Sequence, residues 1–137
     1  MRESIFMRTT FLLLAVLSPA LIGCSTTSRK GDPETVLVTY HVQPGKEAEF
    51  LAVLSQAWEL YHREHVVFAE PHVIVQDTEE GSKPRFAEVF TWISRSIPEH
   101  PPDSVKSIWK REESLCEKRG EHSGIEPLEV ELLVPRR

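Results

Sequence analysis

Residues 36–42, VLVTYHV, alternate Val36, Val38, Tyr40 and Val42 against Leu37, Thr39 and His41, and this period of two, rich in β-branched side chains, predicts a strand. Gln43-Pro44-Gly45 interrupts it, and over residues 46–65 the apolar positions then fall at Phe50, Leu54, Ala57, Trp58, Tyr61 and His65. Intervals of three and four predict an amphipathic helix of about five turns. Pro71 closes the next linker, residues 72–78 (HVIVQDT) read as a second strand, and the turn composition of EEGSKP at 79–84 predicts a hairpin into a third strand at 85–93. Pro98, Pro101 and Pro102 argue against regular structure in the next segment, after which Asp103 or Ser104 can cap a second helix that ends at Gly120 as a left-handed terminus. A loop at 121–127 leads to residues 128–134, where Leu128, Val130, Leu132 and Val134 alternate with Glu129, Glu131 and Leu133 and predict a fourth strand.

The order β-α-β-β-α-β is that of an α+β, ferredoxin-like fold: one antiparallel four-stranded sheet with two helices on one face. The expected folded domain spans residues 36–137. Neither side of the first strand is polar enough to stay wet, while two helices cover only one side. The expectation is a homodimer in which two sheets pack face to face about a two-fold axis.

The N-terminus adds a different kind of signal. Arg2 and Arg8 precede a short apolar run at 11–17, and Leu21-Ile22-Gly23-Cys24 follows. This order resembles a bacterial lipoprotein signal with its lipobox. A transmembrane anchor is the competing reading, but it needs roughly 20 apolar residues, and Ser18 and Pro19 interrupt this one. The resemblance implies a signal peptide at 1–23, lipidation of Cys24, and a polar tether at 24–35. Ser25 stands where an Asp would retain a lipoprotein at the inner membrane, which implies the cell envelope and the periplasmic face of the outer membrane.

The chain has 16 Lys and Arg against 21 Asp and Glu, and loss of residues 1–23 removes two Arg and one Glu, so the balance becomes still more acidic. Nucleic acid is excluded as an expected partner, since phosphate binding requires a basic face. Membrane attachment is expected to rest on the lipid. The other cysteine, Cys116, falls on the apolar stripe of the second helix and reads as a small core residue.

Candidate chemistry converges on residues 85–120. Glu88 shares its strand face with Phe86, Phe90 and Trp92, which favours a poorly solvated carboxyl of the kind used as a general acid or base; the bland alternative is an ion pair with Arg85 or Arg95. Glu112 falls within the apolar arc of Val105, Ile108, Trp109, Leu115 and Cys116, so it needs either a cavity or cover from Lys110, Arg111 or the end of another element. His62 and His65 are spaced to pair on a helix, but a metal site needs three or four convergent ligands, and the expectation is no metal and no cofactor. No G-x-G-x-x-G or G-x-S-x-G fingerprint is present.

The first strand followed by PGKEAEFLAVL, then FAEVFTWIS and a histidine a dozen residues after its Glu, resembles the dimeric α+β barrel superfamily, in particular its antibiotic-biosynthesis monooxygenase-like group. The resemblance implies a pocket between sheet and helices to which Glu88, Phe90 and His100 contribute, with Glu88 and His100 as candidate catalytic residues. Phe90, Trp92, Trp109, Glu112 and His41 are the candidate ligand-binding residues. The loop IPEHPP and the Ser104-Val105 pair depart from the group's pattern, and the chain has no Asn, which argues against haem degradation. The expected activity is binding of a small organic molecule by a lipid-anchored protein. Cofactor-independent monooxygenation and a purely structural role in the cell envelope are the alternatives.

Overall fold

The computed structural model describes residues 31–133. Its elements are β1 (Glu34–His41), α1 (Glu47–Arg63), β2 (Val67–Glu79), β3 (Lys83–Trp92), a one-turn α2 (Ser96–Glu99), α3 (Asp103–Leu115) and β4 (Ile125–Glu129). The signal at 1–23, Cys24, most of the tether and Val134 lie outside the described residues. All strand pairs are antiparallel, and the sheet order is β2-β3-β1-β4. This is the ferredoxin-like α+β arrangement.

The alternation in β1 decides how the layers stack. Val36, Val38, Tyr40 and Val42 are buried beneath the helices, and β3 contributes Phe86, Glu88, Phe90 and Trp92 to the same side. From α1, Phe50, Val53, Leu54, Ala57, Leu60 and Tyr61 face the sheet. Phe50 is wedged between Tyr40 and Phe86, with ring centroids 4.9 and 5.3 Å away. Full burial of one such side chain stabilises the fold by about 1.5–3 kcal/mol. From α3 come Val105, Ile108 and Leu115.

Helix α1 ends at Arg63, two residues before the expected boundary. His65 takes φ +54, its N–H bonds the His62 carbonyl and the Val66 N–H bonds that of Tyr61, so the last turn closes in a Schellman motif with histidine where glycine is usual.

Other expectations change as well. β2 begins at Val67 rather than at residue 72 and runs through the cis Glu70–Pro71 peptide; as an edge strand it tolerates a residue without an N–H. The Pro-rich segment contains α2 after all, with Pro98 in the first turn, where the missing N–H has no intrahelical partner to lose. Neither Asp103 nor Ser104 caps α3, which starts after Pro102 without a side-chain cap. Finally, α3 stops at Leu115 rather than at Gly120. Cys116 turns extended and pairs with Val42, and the Glu117 N–H bonds the His41 carbonyl, so added sheet pairing outcompetes further helix.

β4 lies three residues earlier than its alternation suggested. Ile125, Pro127 and Glu129 stand opposite Tyr40, Val38 and Val36, which places them on the helix side and turns Leu128 to the open face beside Leu37. Leu128 is 60% exposed.

Candidate functional site

A cavity of about 660 Å³ separates the helix side of β1 and β3 from α1 and α3. Val36, Val38, Tyr40, Phe90 and Trp92 form its floor, Tyr61 and Trp109 one wall, and Cys116, Gly124, Ile125 and Pro127 the other. Glu34, Glu113, Lys118 and Glu129 edge the mouth. Its size falls within the ordinary range of small-molecule sites. Gly124 is required where the chain crosses α3's end: a Cβ there would lie 3.0 Å from that of Cys116.

The aromatic walls are held by specific contacts. Trp109 Nε1–H donates to the Tyr61 hydroxyl at 2.7 Å, tying α3 to α1, and Trp92 packs edge-on against both Phe90 (4.8 Å) and Trp109 (6.1 Å). Tyr61 was not among the expected site residues, although its place on the stripe of α1 pointed inward. Burial, then the neighbouring Glu112, push the Tyr61 hydroxyl well above the usual tyrosine range.

Glu112 enters this cavity from α3. It is 3% exposed, and its Oε1 has no hydrogen-bond partner among the described residues. Arg111 does not cover it but bonds Gln56 of α1 at 2.7 Å. Burial, reinforced by the charge of Glu88, pushes its carboxyl up to about 8, so at neutral pH it is mostly a protonated acid. Cys116 is pushed up to about 12 by burial and then by Glu112, which leaves an inert thiol.

Glu88 is placed differently. It is 2% exposed and points to the same layer, but lies behind Tyr40 rather than in the lining. The Tyr40 hydroxyl donates to its Oε2 at 2.9 Å, and His72 Nε2 meets its Oε1 at 2.8 Å. Its partners are thus Tyr40 and His72, not Arg85 or Arg95, which pair with Asp77 and Glu129. His72 in turn stacks on Trp58 at 3.6 Å and 11°, so this histidine supports the site from behind. Burial and the Glu88 charge hold the Tyr40 hydroxyl far above its usual range.

Two expected contributors do not reach the cavity. His100 is exposed at the end of α2 and outside the lining, because the α2 turn carries it away from the sheet. His41 lies on the opposite side of the sheet, as strand alternation requires of the neighbour of Tyr40. There its Nδ1 meets Glu79 Oε2 at 3.0 Å and its Nε2 meets Glu126 Oε2 at 2.8 Å. Arg119 pairs with Glu79, with Glu117 at 3.1 Å, and with the carbonyl of Pro84 at 2.9 Å. Burial alone would raise Glu79, but the bonds from Arg119 and His41 outweigh it and hold the carboxyl down to about 2. Phe90, Trp92, Trp109 and Glu112 are therefore gathered in one cavity, with Glu88 one residue removed from it.

Among solved structures the chain is similar to a conserved protein from Methanosarcina mazei Go1, at 17% identity and TM-score 0.52 over 70% of this chain and 90% of the other. A protein from Shewanella oneidensis is similar at 14% identity and TM-score 0.50, over 73% of this chain and 92% of the other. A looser likeness, with 20% identity and TM-score 0.48 over 75% of this chain and 92% of the other, is to a Caulobacter crescentus CB15 protein provisionally named an antibiotic biosynthesis monooxygenase. At these identities the first two likenesses establish a shared ferredoxin-like fold. No family model and no curated protein matches the chain.

Proposed function

We propose that the protein binds a small, largely apolar organic molecule in the cavity between sheet and helices, with the protonated carboxyl of Glu112 as the hydrogen-bond donor that orients it. The observation that carries this reading is the unpartnered, buried Glu112 Oε1 at an aromatic-lined space. A buried polar atom without a partner costs about 1–3 kcal/mol, and a ligand oxygen would recover that cost. Trp92 and Trp109 supply the assay, because a ligand between them changes their emission. Titration with 2-naphthol as the probe is expected to quench tryptophan fluorescence saturably. Glu112→Leu is expected to weaken binding about tenfold, the equivalent of one lost hydrogen bond. Equal affinity in wild type and Glu112→Leu would remove Glu112 from the reading; no saturable binding of any aromatic probe would favour a structural role.

The same carboxyl supports a second reading, cofactor-independent monooxygenation. A group that titrates near pH 8 inside an apolar cavity can exchange a proton with a weakly acidic ligand. Oxygen uptake in the presence of a phenolic probe, lost in Glu112→Leu, separates turnover from binding alone.

The anchoring and the dimer belong to the same proposal. Lipidation at Cys24 holds the domain at the periplasmic face of the outer membrane, and mass spectrometry of wild type and Cys24→Ser tests for the acyl mass. Two copies pack through the open sheet face, where Val73 and Val75 stand exposed beside Leu37, Ala87, Val89 and Leu128. Light scattering is expected to give the mass of two chains for the wild type and of one chain for Val75→Glu.

A further inference from the structure

We propose that His41, His122 and Glu126 form a zinc-type divalent metal site at the polar end of the open sheet face. The three residues come from the end of β1, from the turn after α3, and from β4. His41 Nε2 lies 2.8 Å from Glu126 Oε2, and His122 Nδ1 lies 2.9 Å from Glu126 Oε1. All three ligand atoms lie within 4.8 Å of one another. Among the described residues no other set of His, Cys, Asp and Glu converges in this way, and His62 and His65 join none.

The chemistry of these contacts can accommodate a metal cation. A carboxylate oxygen and the lone pair of an imidazole nitrogen are both acceptors, so each pair holds only with a proton or a metal ion between its members. Both oxygens of Glu126 face such a nitrogen. One divalent ion replaces the two protons and satisfies all three residues together. At bond lengths of about 2.0–2.1 Å, tetrahedral ligands sit about 3.3 Å apart, so the two hydrogen-bonded pairs need to open by about half an ångström, while the widest separation in the set, up to 4.8 Å, needs to close. His122, on an exposed turn, can make that movement.

The surroundings orient His41 as a ligand. Glu79 takes the Nδ1 side at 3.0 Å, and Arg119 holds Glu79 in turn. A carboxylate on one imidazole nitrogen fixes the tautomer and aims the other nitrogen at the metal, the usual outer-sphere arrangement of zinc sites. Two imidazoles and one carboxylate leave a fourth position, and the exposed side next to His122 gives water or a ligand access to it.

The test uses the whole chain, stripped with chelator and titrated with Co²⁺ and then Zn²⁺. The expected result is one equivalent bound, intense visible Co²⁺ bands from four-coordination, displacement by Zn²⁺, and a raised unfolding temperature. His122→Ala is the first variant because its ring makes one hydrogen bond, to Glu126, and it is expected to weaken Zn²⁺ binding by more than about 100-fold. Glu79→Gln, acting through His41, should keep the Co²⁺ spectrum with an affinity lowered by about 10–100-fold. His100→Ala, which changes an exposed histidine elsewhere, should bind as wild type. Absence of binding, a pale six-coordinate Co²⁺ spectrum, or full-strength binding in His122→Ala would overturn the site.

Discussion

Two buried polar regions lie on opposite sides of β1 and are treated oppositely by the fold. On the helix side, Glu112 is enclosed by aromatic rings with an oxygen left unpartnered. On the open side, His41 is 2% exposed, yet both its ring nitrogens meet carboxylates, and Arg119 binds the far side of one of them. Burial is similar, but satisfaction is not. A buried charge with its full complement of partners holds neighbouring strands and loops together. One without partners costs stability, and such a cost persists where a ligand or a reaction uses the group. The contrast is the ground on which we propose ligand chemistry for the cavity, and structure together with a metal for the His41 network.

The largest effect is expected from removing the unsatisfied group. Folded Glu112 keeps its proton up to about pH 8, whereas an unfolded glutamate releases it near 4.5. Between those values the folded state binds more protons than the unfolded state. Stability is therefore complete below about pH 4.5 and falls as pH rises, by about 1.4 kcal/mol per unit, until the loss levels off above about 8. Glu112→Leu removes this dependence. Its advantage over wild type is expected to grow to about 5 kcal/mol at pH 8 and above, an order-of-magnitude figure from the same linkage. Urea unfolding of both proteins at about pH 5, 7 and 9 checks it. Parallel stability profiles would mean that Glu112 finds a partner and that the two regions are alike.

The opposite sign is expected on the other side of the sheet. The Arg119 side chain is 8% exposed and ties Glu79 and Glu117 to the carbonyls of Pro84 and Val42. Arg119→Ala strands the Glu79 carboxylate beside a buried histidine and leaves two carbonyls unbonded, so a loss of about 3 kcal/mol is expected. A urea midpoint shifted by less than the error of the measurement would show that water replaces Arg119 freely.

This difference between the two regions was only half legible in the sequence. Strand alternation put Glu88 with Phe86, Phe90 and Trp92, and helical spacing put Glu112 on the apolar arc of α3; both placements depend on local periodicity, and the structure has both. The partners of those groups are not local. Tyr40 and His72 reach Glu88 through strand register, and His41 meets Glu79 from the end of β2, and His122 and Glu126 only after α3 has ended and the chain has doubled back. That ending was itself illegible, because Glu117-Lys118-Arg119 reads as good helix, and only the pairing of Cys116 with Val42 draws it off. Pro71 hid the first half of β2 for a related reason, since whether a proline is tolerated depends on whether the strand is an edge. His100 was carried into the pocket by resemblance to a pattern whose loop this chain does not share, and α2 turns it outward.

The smallest effect sharpens the comparison within the cavity wall itself. Trp109 and Tyr61 are a satisfied pair beside the unsatisfied Glu112: the indole N–H donates to the hydroxyl at 2.7 Å across the α1–α3 contact. Trp109→Phe keeps an aromatic ring but leaves the buried Tyr61 oxygen without its donor, for an expected cost of about 1 kcal/mol. Tyr61→Phe removes the acceptor instead; Trp109 is only partly buried, so its N–H can turn to water, and the cost should be no larger. If the bond alone accounts for both losses, the double variant should cost little more than the greater single one. Urea midpoints of the four proteins measure the coupling. Additive losses would mean that the hydroxyl and the indole serve the cavity separately, and that Tyr61 too is a group awaiting a ligand rather than part of a satisfied wall.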